Sequence, residues 1–319
     1  MTAKVTVIIP LYNKEMYIAE TLDSVFAQTF QDFELIVVND GSTDNSLKIV
    51  ESYSHDSRLH IITQTNHGLS ATRNRGIREA NTELLAFLDA DDTWGPEFLE
   101  TVCRLYDLYP DAGFYGTAFS VYSADTHVRD IVQHPELGER VFDSYFGEWI
   151  EANHPIIIAS GFAARKTALL RVGYYREDLR AGQDHDLFSR VALYYDVAYS
   201  PKVCLQYNIG TVNNGDITNY VIEVPLEKYL RDNPDEISNY ICNPSDLQEY
   251  REHWIIRTGG RNIYSGFRKE GRAQIIGVKS KRYKYLRLGF LVLSYLPIPV
   301  SKIPPNKVRA LLRIFNLSI

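Results

Sequence analysis

Asp89 and Asp91 flank a single alanine in Leu88-Asp89-Ala90-Asp91-Asp92. In an extended segment their carboxylates leave the chain on one side while Ala90 points to the other. Two carboxylates on one face repel unless a cation lies between them. A hard Mg²⁺ or Mn²⁺ carrying a diphosphate suits such oxygen ligands, so metal-assisted handling of a phosphate is the chemistry expected of this pair. The competing reading is that acidic loops at strand ends are turns or helix caps, and Asp92 is read in that way. Two more polar clusters, Pro10-Leu11-Tyr12-Asn13 and Asn39-Asp40-Gly41-Ser42-Thr43-Asp44, stand at comparable places along the chain.

Each cluster follows a short apolar run. The spacing predicts strands at Val5–Pro10, Phe33–Val38, Leu59–Thr63 and Leu84–Leu88. Between and after them it predicts helices at Glu15–Gln28, Ser42–Tyr53, Ser70–Ala80 and Pro96–Tyr109. Ser42 or Thr43 suits the cap of the second helix, and Pro96 suits a first helical position. Such alternation demands an α/β fold with a mostly parallel sheet covered on both faces, and the nearly unbroken runs Val5–Ile9 and Leu35–Val38 are what doubly buried strands require. In an open parallel sheet ligands gather at the carboxyl ends of the strands, so the three clusters are expected to converge. After residue 110 the rhythm changes. A strand is expected at Gly113–Val121, an irregular aromatic stretch at Asp130–Ile150, strand character at Ile156–Ala164, a helix at Asp184–Tyr195, and helices beyond Val224.

The 319 residues include 34 Lys and Arg against 40 Asp and Glu, a net charge of −6, with ordinary globular composition that excludes disorder and fibrous repeats. The charge is uneven. Residues 279–319 carry nine basic residues and no acid, which leaves −15 on residues 1–278. Within that tail Leu286–Val300 is apolar but too short and proline-broken to span a bilayer. One reading places the tail on an anionic membrane surface, with Phe290, Leu291, Leu293 and Tyr295 toward the acyl chains. The other packs it on the acidic body or across a homodimer. Nucleic acid is not expected, since the basic residues flank aliphatics. Three widely spaced cysteines fit neither a disulfide framework nor a zinc site, and no signal-peptide pattern opens the chain, so a cytoplasmic protein is expected, with the inner face of the cell membrane as its peripheral station.

Five segments carry a family resemblance: VTVIIPLYN (5–13), SVFAQTF (24–30), ELIVVNDGSTDNS (34–46), NHGLSATRNRG (66–76) and AFLDADD (86–92). They resemble the nucleotide-binding half of family 2 glycosyltransferases with the GT-A fold, and GYYREDLRAGQDHDLFSRV (173–191) is similar to the acceptor-side segment of that family. The resemblance implies a nucleotide-sugar-binding half at 1–110 and an acceptor-binding half of the same domain at 111–224; it is silent on the last hundred residues, where the sequence itself predicts a helical basic extension at 225–319. It implies that Pro10, Tyr12, Asp40, Arg73, Asp89 and Ala90 line the donor site, with Tyr12 stacking on the base and Asp40 bonding a uracil or thymine imide. Asp91, with Asp89 beside it, would hold Mn²⁺ or Mg²⁺, and Asp184 would be the catalytic base. Asn39 and Gln183 depart from the family's usual acidic residues at those places.

The activity so implied is inverting transfer from a pyrimidine nucleotide sugar, foremost a UDP-sugar, to a hydroxyl of a saccharide or lipid-linked saccharide. Transfer to a polyprenyl phosphate and a non-catalytic sugar-nucleotide-binding module are the alternatives. Each residue also has a plainer reading. Tyr12 is one of 22 tyrosines and could pack. Arg73 could neutralise phosphate or form a helix-surface ion pair, and His185 reads as exposed loop. His154 and Trp149 could line an acceptor pocket or pack a loop, and Cys103 reads as a buried small hydrophobe.

Overall fold

The computed structural model describes residues 3–123, 126–209 and 224–295. The chain divides into two compact units, 1–213 and 214–319. The first opens with β1 (Val5–Leu11), α1 (Ile18–Phe26), β2 (Phe33–Asn39), α2 (Ser46–Glu51), β3 (Leu59–Thr63), α3 (Leu69–Glu79) and β4 (Leu84–Phe87). It continues with β5 (Thr93–Trp94), α4 (Phe98–Leu108), β6 (Ala112–Ser123), β7 (Thr126–Ile131), β8 (Arg140–Val141), α5 (Tyr145–Ala152), β9 (Phe162–Arg165), α6 (Lys166–Val172), α7 (Gln183–Tyr194) and β10 (Asp196–Ile209).

All ten strands form one sheet with the main order β3-β2-β1-β4-β9-β6-β10-β5. The β3-β2-β1-β4 half is parallel, β9 runs antiparallel between β4 and β6, and β6 pairs β10 in parallel. Every residue of β1 and β4 is buried, as the unbroken apolar runs require of strands covered on both faces. Ile18, Leu22 and Val25 of α1 and Phe98, Leu99, Val102 and Leu105 of α4 close one face at helical spacing. On α3, a Cβ at Gly76 would meet Ile8 Cγ2 at 2.5 Å, so only glycine lets this helix lie so close to β1.

Several expected boundaries move. Neither Ser42 nor Thr43 caps α2, which starts at Ser46; the Asp44 side chain instead accepts the Ser46 N–H at 2.9 Å. The fourth helix begins at Phe98 rather than Pro96. Within the stretch expected to be irregular, Tyr145–Ala152 is a helix whose cap is Ser144, which accepts from the Gly147 N–H at 3.1 Å. In Ile156–Ala164 only the end is strand, because a 3₁₀ turn at Ala159–Gly161 intervenes. The long β10 escaped the sequence reading since Pro201 interrupts its pattern, and the register to β6 shifts between Ser200 and Val203.

The described part of the second unit is helical, as expected: α8 (Pro225–Asp232), α9 (Pro244–Tyr264), α10 (Arg268–Ile275) and α11 (Lys284–Ser294). Ile256, Ile263, Ile275, Val278, Tyr283 and Leu293 form its core, with Leu286, Phe290 and Leu291 packed against it. Phe290, Leu291 and Leu293 therefore face the core and not an acyl phase, because α11 must cover α9 and α10. Residues 296–319 lie outside the described residues, and among those described no helix is long and apolar enough to cross a membrane.

Candidate active site

The strand-end clusters meet where the parallel half of the sheet ends. Asn13, in the left-handed region at φ 52°, ties the first cluster to the second: its Oδ1 accepts from the Thr43 N–H at 2.8 Å and its own N–H donates to Ser42 Oγ at 3.2 Å. Pro10 and Ala90 are buried, whereas Tyr12 is 42% exposed, so its ring presents a face instead of packing. Asp40 is buried, and its carboxylate accepts from Gln64 Nε2 at 2.8 Å and from the His67 and Gly68 N–H groups at 2.9 Å each. It thereby fixes the loop entering α3. A carboxylate has about four lone-pair directions, so one on Oδ2 is left for a ligand donor. Asn39 bonds its own turn, accepting from the Ser42 N–H at 3.1 Å.

Asp89, Ala90 and Asp91 are not extended. The Asp92 N–H donates back to the Asp89 carbonyl at 3.1 Å, closing a turn that sends the two carboxylates to different cations. Asp91 Oδ2 meets Lys14 Nζ at 2.5 Å, with both side chains largely buried. Asp89 Oδ1 accepts from Arg73 Nη2 at 2.6 Å. Asp92 is neither cap nor outward ligand. Buried, it accepts from Ser160 Oγ at 2.5 Å and from the Asn208 N–H at 2.8 Å, clamping the turn between the segment before β9 and strand β10. Burial, then the neighbouring Asp89, pushes its carboxyl well above the usual range.

Arg73 is no helix-surface ion pair. It is 1% exposed, its Nη1 donates to Asp184 Oδ1 at 2.6 Å, and its guanidinium lies 5.1 Å from the centre of the Tyr175 ring. Burial works against its charge, but Asp184 and Asp89 more than offset this and raise its pKa. The same burial raises the Asp89 carboxyl, with Arg73 opposing. Next to Arg73, Asn74 donates to the Tyr175 carbonyl at 2.8 Å and accepts from the Tyr175 N–H at 2.9 Å, fastening the segment before α7 to α3.

Asp184 owes its position to Gly182, whose φ of 77° turns the chain into α7. It lies in the first helical turn, where a carboxylate complements the helix dipole. Gln183 bonds locally, donating to the Leu179 carbonyl at 3.1 Å. Asp89 and Asp184 together line a cavity of about 350 Å³, walled by Phe119, Ile131, Ile157 and Phe188 and edged by Arg129 and His154. His185 also lines it and is not exposed loop; burial lowers its pKa to about 4, leaving a neutral ring. Trp149 is buried and packs edge-on to His185 at 6.2 Å rather than lining the cavity, and Cys103 is buried as expected.

Lys14 was missed by sequence reasoning. Its signal was a lysine two residues beyond Tyr12 at a strand end. Among the described residues no three His, Cys, Asp or Glu converge as a metal cage. Asp89 and Asp91 supply hard oxygen donors and fit Mg²⁺ or Mn²⁺ only where further oxygens come from a diphosphate and water.

A mostly parallel sheet with acidic turns at its carboxyl ends and a cavity beside them is the arrangement of an open α/β fold with a ligand crevice at its strand ends. Residues 6–173, more than half the chain, match the family model described as "Glycosyl transferase family 2". The chain belongs to that family. Among curated relatives it is 44% identical over 102 residues to glycosyltransferase GlyA of Streptococcus pneumoniae, covering 32% of this chain and 15% of that protein. It is 43% identical over 104 residues to the putative glycosyltransferase EpsH of Bacillus subtilis, covering 32% and 30%. The chain thus spans under a third of the length of either relative. Among solved structures it resembles Staphylococcus aureus TarS 1–349 in complex with UDP-GlcNAc, with a TM-score of 0.64, 21% identity, and coverage of 98% of this chain and 87% of that one. It also resembles the Pyrobaculum calidifontis mannosyltransferase PcManGT in complex with GDP-Man and Mn²⁺, with a TM-score of 0.56, 19% identity and coverage of 99% and 86%. The fold is GT-A.

Proposed function

We propose that this chain transfers a sugar, with inversion at the anomeric carbon, from a UDP-sugar to a hydroxyl of a saccharide or lipid-linked saccharide. The observation that carries the reading is the shared guanidinium: Arg73 holds Asp184 beside Asp89 at the wall of one cavity. A hydroxyl bound there lies within reach of a carboxylate that accepts its proton as the oxygen attacks. The bond from the anomeric carbon to the diphosphate then breaks, and no covalent sugar–enzyme intermediate is required. Tyr12 offers its exposed face to the base, and Asp40 accepts the imide N–H through Oδ2. Held by Asp91 with Asp89 beside it, Mn²⁺ or Mg²⁺ would neutralise charge on the departing diphosphate. Lys14 then turns from Asp91 toward the same negative charge.

A second reading, transfer to a polyprenyl phosphate at the cytoplasmic face of a membrane, draws on the apolar cavity wall. That acceptor oxygen is already anionic and needs no base, so turnover that survives Asp184→Asn would favour it. The main reading is tested with UDP-, dTDP- and GDP-sugars in the presence of Mn²⁺. A pyrimidine donor should bind most tightly, because the imide N–H of uracil or thymine suits the direction left open on Asp40 Oδ2, whereas the larger guanine presents its ring N–H in a different place. Proton NMR of the product should show the anomeric configuration opposite to the donor's. Tighter GDP than UDP binding would overturn the donor assignment, and retained configuration would overturn the role of Asp184.

A further inference from the structure

Helix α11 carries apolar side chains on two sides. One side, with Leu286, Phe290 and Leu293, packs into the core of the helical unit. The other presents Tyr285, Leu288 and Val292, followed by Tyr295 at the C-cap, all between 48% and 74% exposed. Their spacing of three, four and three residues places them in one stripe along the helix. An ordinary surface helix would put polar side chains there. Along the chain the charge after Glu270 has a single sign, and Lys279, Lys281, Arg282 and Lys284 are exposed, while Glu252 and Glu249 of α9 are engaged by the Lys279 and Ser280 N–H groups and by Ser280 Oγ. Of the neighbouring arginines, Arg287 is drawn inward, its Nη1 donating to the Val278 carbonyl, while Arg272 donates to the Ser294 carbonyl at 3.0 Å and lays its guanidinium 4.6 Å from the centre of the Tyr295 ring.

We propose that this stripe is a docking face for an anionic lipid surface, with Tyr285, Leu288, Val292 and Tyr295 seated at the headgroup–acyl boundary and the surrounding lysines on lipid phosphates. The argument is charge complementarity joined to shape. Aromatic and aliphatic side chains on one stripe of a helix that itself carries no acid, with exposed lysines leading into it, are the composition of a helix lying in a membrane interface. A protein partner would call for neither the single sign of charge nor its continuation through Lys302, Lys307, Arg309 and Arg313. The proposal deepens the reading of a lipid-linked acceptor, which would give such docking a use; binding itself is measured without turnover, so the two can fail separately.

The test is vesicle flotation with the full chain, using phosphatidylcholine vesicles with and without an equal share of phosphatidylglycerol. Two variants accompany it. One replaces Tyr285, Leu288, Val292 and Tyr295 by serine, and the other changes Lys279, Lys281 and Lys284 to glutamate; both alter exposed side chains, and circular dichroism verifies their fold. The wild-type chain should float with the anionic vesicles, not with the neutral ones. Binding should fall at least tenfold in either variant and be lost near 1 M salt, where screening shortens to about 3 Å. The proposal is overturned if the wild-type chain ignores anionic vesicles at low salt, if the serine variant binds equally well, or if neutral vesicles serve as well. A fragment ending at Tyr295 that binds where the full chain does not would also overturn it, showing that 296–319 covers the stripe.

Discussion

Asp89 and Asp184, one from the turn after β4 and the other from the start of α7, bond adjacent nitrogens of the same buried guanidinium, each at 2.6 Å from Arg73. The two parts of the site are thus set relative to each other by one side chain of α3. Arg73→Met removes the shared counter-charge. Since the carboxylates are 29% and 31% exposed, the loss should be about 2–3 kcal/mol, below the full cost of orphaning a wholly buried charge. Arg73→Lys keeps the charge but can reach only one carboxylate well. It should fold to near wild-type stability in urea titrations and lose about a hundredfold in kcat. Wild-type turnover by Arg73→Lys would make the bridge purely structural.

The metal proposed on Asp91 would have to displace Lys14. Removing it as Lys14→Gln should raise Mn²⁺ affinity about fivefold in the absence of nucleotide, the worth of a partly buried pair near 1 kcal/mol. The same change should weaken UDP binding, because a positive charge near the diphosphate is gone. Electron paramagnetic resonance of free Mn²⁺ reports the first and calorimetry the second. Unaltered Mn²⁺ affinity would show that the 2.5 Å contact is no obstacle to a metal.

Two buried groups give pH effects of opposite sign. His185 falls from 6.5 to about 4 on folding because burial penalises its charged form. The unfolded chain therefore takes up a proton that the folded chain refuses, and stability is lost as pH falls from about 6.5 toward 4. Asp92 is raised well above 3.8, chiefly by burial, so its contribution weakens as pH rises above about 4. Melting curves should show His185→Gln narrowing its deficit against wild type below pH 6, and Asp92→Asn gaining on wild type toward pH 8. Parallel pH profiles for wild type and variants would contradict both.

The parallel half of the fold was legible because β1, β2 and β4 are covered on both faces and so appear as unbroken apolar runs, and the part-exposed edge strand β3 lies at its expected boundaries. The clusters at its strand ends followed from topology. What the sequence hid was which side chains meet. Asp89 and Asp91 looked like partners on an extended segment, but a hydrogen bond between backbone groups of Asp92 and Asp89 turned them apart. Arg73 could be read as a phosphate ligand or as part of a helix-surface ion pair, since nothing local reports that Tyr175 and Asp184 will close over it. The same holds for α11: its total charge and hydropathy were visible, but which apolar residues face inward depended on α9 and α10.

The proposed mechanism divides labour between two carboxylates, with Asp91 serving the donor's leaving group and Asp184 serving the acceptor. Calorimetric titration of UDP in the presence of Mn²⁺ into Asp91→Asn and Asp184→Asn, each with turnover measured in parallel, tests it most directly. Turnover should be lost in both, while UDP affinity should fall at least tenfold in Asp91→Asn and stay within about twofold of wild type in Asp184→Asn. Equal loss of UDP affinity in the two variants would contradict the account.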